Sequence, residues 1–228
     1  DLTIALPAAE TLTYKKTATG WGLALDDGVL ATAPQHPYPR RSVTCIKTAA
    51  APAIDGKLDD AAWQGAKPAK DFLTGWGWDD KPVRDQSHVR LAWDTKNLYV
   101  AIECEQATDQ DDFHLLLDNN ADGATLFRLV FQADGKVLPE FWGARNRFAA
   151  TITCRSRVAG GKRVFEVKLP WQGFEAPPPR PGTVLRVNFA RYRHAGVAKE
   201  VSQWASTRGY MDDAAIFYGE LRLQPEPE

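Results

Sequence analysis

The stretch IDGKLDDAAW, Ile54 to Trp63, answered downstream by VRLAWDTKNLYVAIECE, Val89 to Glu105, decides the fold. In the second stretch Val89, Leu91 and Trp93 lie on one face, and after the turn Asp94-Thr95-Lys96-Asn97 the alternation resumes at Leu98, Val100, Ile102 and Cys104. Period two on both sides of a short turn is the pattern of a β-hairpin with one buried face. The first stretch predicts a short helical turn over Asp59 to Gln64, which Asp59 or Asp60 could cap, with Trp63 as its anchor. A turn, a tryptophan anchor and a hairpin open a β-sandwich rather than an active site.

Further runs of the same kind follow: Phe113 to Leu117, Leu126 to Gln132, Val137 to Trp142, Thr151 to Val158, Val164 to Leu169, Val184 to Arg193, Glu200 to Trp204 and Phe217 to Leu223. Turn chemistry at Ala133-Asp134-Gly135-Lys136 and Gly160-Gly161 separates some of them, and no long amphipathic helix intervenes. Roughly ten short strands at this spacing predict an all-β domain, an antiparallel two-sheet β-sandwich over residues 45–228. Residues 1–44 differ, being rich in Thr, Ala, Pro and Gly, and Pro34 to Arg41 reads as an extended connector. They are expected to form an irregular N-terminal arm or linker packing on the sandwich, with short strands at Leu12 to Tyr14 and Trp21 to Leu25.

At 228 residues and 44% hydrophobic content the chain can bury a sizeable core without a disulfide framework. Lys and Arg number 28 against 29 Asp and Glu, a balance that gives no basic face for nucleic acid. No run of about 18 apolar residues exists, so no helical membrane span is expected. Cys45, Cys104 and Cys154 lack C-x-x-C spacing, which argues against a zinc site and for buried free thiols. There is no G-x-S-x-G, H-E-x-x-H or P-loop, and Asp111 and Asp112 are adjacent, so they point to opposite faces of a strand and cannot flank one glycosidic bond.

Residues from about 45 to 223 resemble the family 9 carbohydrate-binding modules and the wider DOMON-like sandwiches. The resemblance rests on pieces in family order: IDGKLDDAAW, LAWDTKNLYVAIECE, QDDFHLLLDNNADG, FRLVFQADG, RVFEVKLPW, PGTVLRVNFARYR, SQWAST and FYGELRL. It implies a non-catalytic module that recognises poly- or oligosaccharide, commonly with structural calcium, secreted or periplasmic, and commonly attached to a larger secreted glycoside hydrolase. Sugar-binding relatives clamp the ligand between two aromatic side chains. Here Thr108 stands near the first position, and Tyr210, followed by Met211, stands where tryptophan is usual. His114 replaces a usual Glu, whereas Arg128 matches the arginine that reaches the ligand. The same resemblance leaves open an accessory interdomain or protein-interaction module that has lost its clamp, and a haem-binding form using Met211 with His88, His114 or His194.

Sugars stack their C–H faces on aromatic rings while planar polar groups bridge hydroxyls. The candidate carbohydrate-binding residues are therefore Arg128, His114, Trp142, Tyr210, Trp76 and Trp78. Of the eight tryptophans, Trp63, Trp93, Trp171 and Trp204 are expected in the core. Trp76 and Trp78 stand in the loop GWGWDD, Gly75 to Asp80, where either lid or end-packing is open. Trp142 is open between ligand platform and edge packing, Arg128 between ligand contact and an ion pair with Asp111 or Asp112, and His114 between ligand contact and a structural hydrogen bond. The loop Asp118 to Gly123 offers Asp118, Asn120 and Asp122 as Ca²⁺ ligands, although Leu129 occupies the distal Glu position of an EF-hand and a hairpin turn uses the same letters.

Overall fold

The computed structural model describes residues 2–5, 11–17, 20–24, 30–31, 40–75, 80–121, 126–140, 148–174, 178–195, 198–207 and 215–224. The chain divides into two compact units, residues 1–39 and 40–228. In the first, β1 (Leu2–Ala5), β2 (Thr11–Thr17), β3 (Gly20–Ala24) and β4 (Leu30–Ala31) pair antiparallel in that order, with Leu2 opposite Tyr14 and Lys16 opposite Trp21. The short strands expected around Leu12 to Tyr14 and Trp21 to Leu25 are present as β2 and β3, and with β1 and β4 they make a small meander rather than an irregular segment.

Among its described residues the second unit is all-β apart from one short α-helix and two 3-10 turns, Trp171–Phe174 and Ala215–Phe217. Its strands are β5 (Ser42–Lys47), β6 (Leu73–Thr74), β7 (Ser87–Trp93), β8 (Asn97–Glu105), β9 (Asp112–Asp118), β10 (Phe127–Gln132), β11 (Val137–Glu140), β12 (Thr153–Ala159), β13 (Lys162–Pro170), β14 (Val184–Ala195), β15 (Ala198–Gln203) and β16 (Gly219–Leu223). Hydrogen bonds link them in the order β11-β10-β9-β14-β16-β5-β7-β8-β13-β12, with β15 on β14 and β6 on β15. The pairing is mixed, not wholly antiparallel. β5 runs parallel to β16 through Val43 and Leu221, then parallel to β7 through Ile46 and Ala92, and so joins the two halves of the path. The path nearly closes, because the turn between β10 and β11 meets the far edge: Ala133 O accepts from Ser156 Oγ on β12 and from Arg163 Nη1 on β13, both at 2.7 Å.

Alternation decides which residues enter the core. Val89, Leu91 and Trp93, then Val100 and Ile102, Phe165 and Val167, Phe113 and Leu115, Phe127 and Phe131, and Val187 and Phe189 share one cluster to which both halves of the sheet contribute. Each such side chain contributes about 1.5–3 kcal/mol by leaving water. At one end Phe174 stands edge-on to Phe127 and Phe148, with centroids 5.1 and 4.8 Å away. Gly173 is required there, since a Cβ would enter the Phe148 ring.

The hairpin turn between β7 and β8 forms as expected: Asp94 Oδ1 accepts from the N–H groups of Lys96 and Asn97, both at 2.7 Å. The predicted helical turn is α1 (Ala61–Gln64), but Asp60 does not cap it through its side chain. Its carboxylate instead accepts from Ala53 N at 3.2 Å. All three cysteines are free; Cys45 and Cys104 are buried, whereas Cys154, expected to be buried, is half-buried on edge strand β12, the strand that also carries the 60% exposed Val158. Among the described residues no helix is long and apolar enough to cross a membrane.

Candidate functional site

Strands β9, β10 and β14 turn one face to the main core; on the other, Leu116 of β9 and Ala190 of β14 join Leu126, Val201, Ala215 and Tyr218 in a second buried cluster, against which Tyr192 packs. On β10, Phe127, Leu129 and Phe131 point inward, so Arg128 and Val130 point outward. On β9 the outward residues are Asp112, His114, Leu116 and Asp118, and on β14 they include Asn188, Ala190 and Tyr192. Register places His114 between Val130 and Ala190, and Arg128 beside Leu116, so the histidine and arginine are diagonal neighbours.

Arg128 Nε and Nη2 lie 3.1 and 2.9 Å from His114 Nδ1. The imidazole stacks on Tyr192, with centroids 4.4 Å apart and planes inclined by 23°. His114 is 4% exposed, while Arg128 and Tyr192 are half-buried. The structure thus brings together two of the sequence candidates. It also adds Tyr192, whose position followed from its parity with Asn188 and Ala190 but which sequence reading passed over.

Arg128 does not pair with Asp111. That carboxylate faces away and binds the buried Arg191, whose Nη2 donates at 2.7 Å and Nε at 3.2 Å. Thr108 Oγ1 lies 2.6 Å from Asp111 Oδ1, and His194 N donates to the same oxygen at 3.1 Å. Burial alone would raise the Asp111 carboxyl, but these hydrogen bonds from Thr108, Arg191 and the His194 backbone outweigh it and hold it below the usual carboxylate range. The Thr108 hydroxyl therefore serves to fix the loop between β8 and β9.

Trp76, Trp78, Trp142 and Tyr210 lie outside the described residues, as does Asp122. Their flanking backbone is described. Glu140, the last residue of β11, stands opposite Arg128. Gly75 N donates to Val201 O at 2.7 Å, so Gly75, which follows β6 and opens the GWGWDD stretch, is tied to β15, the neighbour of β14. Space for a side chain is absent at Gly75, where a Cβ would lie 2.7 Å from Val201 Cγ1.

At the other end of β9, Asp118 is fully buried and Asn120 N donates to its Oδ1 at 3.3 Å. The Asn120 side chain is exposed. Asn119, not singled out from sequence, donates to Phe174 O at 2.9 Å while its Oδ1 is buried without a hydrogen-bond partner. A buried carboxylate and an orphaned amide oxygen are each hard donors of the kind calcium takes. No group of three or more His, Cys, Asp or Glu side chains among the described residues is placed to hold a metal.

Residues 54–226 match the family described as carbohydrate family 9 binding domain-like. The chain belongs to that family. Family 9 domains are non-catalytic carbohydrate-binding modules. A family 9 module from Caldicellulosiruptor kristjanssonii in complex with cellotriose is similar at a TM-score of 0.66 and 14% identity, covering 82% of this chain and 96% of that one. A structure of a family 9 module from the same organism in complex with glucose is similar at 0.63 and 15%, covering 82% and 98%. A putative carbohydrate-binding protein from Bacteroides uniformis ATCC 8492 gives 0.62 and 14%, covering 82% and 100%. At these identities the likeness is one of fold. No curated protein matches this chain.

Proposed function

We propose that this protein binds an oligosaccharide or the end of a polysaccharide on the outward face of β9, β10 and β14. The family match over residues 54–226 carries the reading. The complexes of similar modules with cellotriose and glucose support it, as does a guanidinium held beside two rings on that face. Arg128 bridges adjacent hydroxyls, and Trp142, Tyr210 and the Trp76–Trp78 loop supply rings for stacking. In this reading the two halves of the sheet that share the core are the layers of a sandwich. Calcium held by Asp118 and the Asn119 amide oxygen supports the end of β9, and the module serves a secreted or periplasmic enzyme as its substrate anchor.

Calorimetric titration with glucose and cellotriose, with and without Ca²⁺, tests this. Binding that disappears in Arg128→Ala is expected. Silence of the wild-type protein across an oligosaccharide array would instead favour an accessory interdomain or protein-interaction module, a reading that the internal use of Thr108 supports.

A further inference from the structure

We propose that His114 is a positioning residue for the Arg128 guanidinium, acting as a neutral imidazole whose unprotonated Nδ1 accepts both Nε–H and Nη2–H. The inference rests on the sugar-binding reading of this face for its functional consequence, though not for its geometry. A guanidinium carries donors only. Two of its nitrogens converge on one ring atom at 3.1 and 2.9 Å, so that atom must offer a lone pair and the proton must sit on Nε2.

Three further observations make this a device for aiming the arginine. The imidazole is 4% exposed, and Tyr192 lies against its plane at 4.4 Å, so the ring is held against rotation. Register holds the backbone on both sides, with Val130 and Ala190 opposite His114. The bond uses Nε and one terminal nitrogen, which fixes the guanidinium plane and leaves Nη1 as the group turned from the imidazole. Charged neighbours by register are Asp112 on the same strand and Glu140 opposite Arg128. A carboxylate at position 114 could accept the same two N–H groups but would neutralise the arginine; the imidazole orients it without cancelling its charge. His114 thus acts on a ligand through Arg128.

Imidazole ¹⁵N NMR of the full chain without ligand gives the first readout: a bare Nδ1 and a protonated Nε2 are expected, and Nδ1 protonation overturns the inference. Asn places its Oδ1 near the position of Nδ1, so H114N should keep the Arg128 Nε–H protected from solvent exchange, whereas H114A should expose it. With cellotriose as probe, H114N should bind within about twofold of wild type and H114A about tenfold more weakly, the size of one charge-assisted bond. Unchanged exchange and affinity in H114A would overturn the inference. Should wild-type protein bind no cellotriose, the sugar reading fails, while the tautomer and the Arg128 exchange still decide the positioning role.

Discussion

Trp63 Nε1 donates to Glu166 Oε1 at 2.8 Å across a sequence separation of 103 residues. The other carboxylate oxygen accepts from the backbone N–H groups of Asp55, Gly56 and Lys57, at 3.0, 2.6 and 3.2 Å. IDGKLDDAAW is therefore a cradle for one fully buried glutamate on β13, and its tryptophan closes the cradle. Gly56 adopts a φ of +86°, which turns successive N–H groups toward a single carboxyl oxygen.

Two substitutions test this cradle. Glu166→Gln replaces one acceptor with an amide that faces N–H donors, and should cost about 1–3 kcal/mol for the groups left unsatisfied. Gly56→Ala should cost about 1–3 kcal/mol as well, because the left-handed backbone strains any Cβ and that Cβ would lie 2.9 Å from Arg157 Cβ. Urea unfolding monitored by tryptophan fluorescence measures both, and wild-type midpoints would refute the assignment.

The period-two signal made much of the fold legible, because a strand with one buried face advertises itself residue by residue. Val89 to Cys104 is such a case, and so is the split of β10 into an inward Phe127–Leu129–Phe131 row and an outward Arg128. β5 escaped because only Val43 and Cys45 are apolar and buried within it, and because parallel partners leave no hairpin turn in the sequence. The candidate site was half legible. Parity could place Arg128 and His114 on outward faces, but their contact depends on the register of β9 against β10, which no local pattern encodes. The Glu166 cradle was illegible for the same reason, since its donors and acceptor come from distant segments.

Asp111 and Arg191 form a buried pair at 2.7 Å, and removing one partner leaves the other charge uncompensated. Asp111→Ala should therefore cost about 3–5 kcal/mol. The acid dependence has a defined sign. The Asp111 carboxyl is held below the usual range, so its contribution is complete above an ordinary carboxylate pKa of about 3.9 and is lost as pH falls through the lowered native value. Wild type should lose stability more steeply than Asp111→Ala on that limb, as read from urea midpoints between neutral and acid pH.

Calcium should raise the melting temperature of wild-type protein, and chelation should lower it. A hundredfold excess over the dissociation constant corresponds to about 2.7 kcal/mol. Asp118→Asn should remove most of the response and Asn119→Ala part of it. Equal melting curves with calcium and with chelator would remove the ion from the account and leave the Asn120 N–H to Asp118 bond as an ordinary turn contact.

The thiols make a separate test of the core. Burial pushes Cys45 well above the ordinary thiol range and raises Cys104, while burial, aided by Asp134, pushes Cys154 up to about 12. The thiolate is the reactive form, so none of the three should react readily with a disulfide reagent at neutral pH in the native state. Once the chain is fully unfolded all three should react. Cys154 on the edge strand should be the first to react as denaturant rises, because opening β12 away from β13 exposes it while Cys45 and Cys104 stay among Val43, Val89 and Ile102. Simultaneous modification of all three at low denaturant would mean that the edge strand and the core open as one unit.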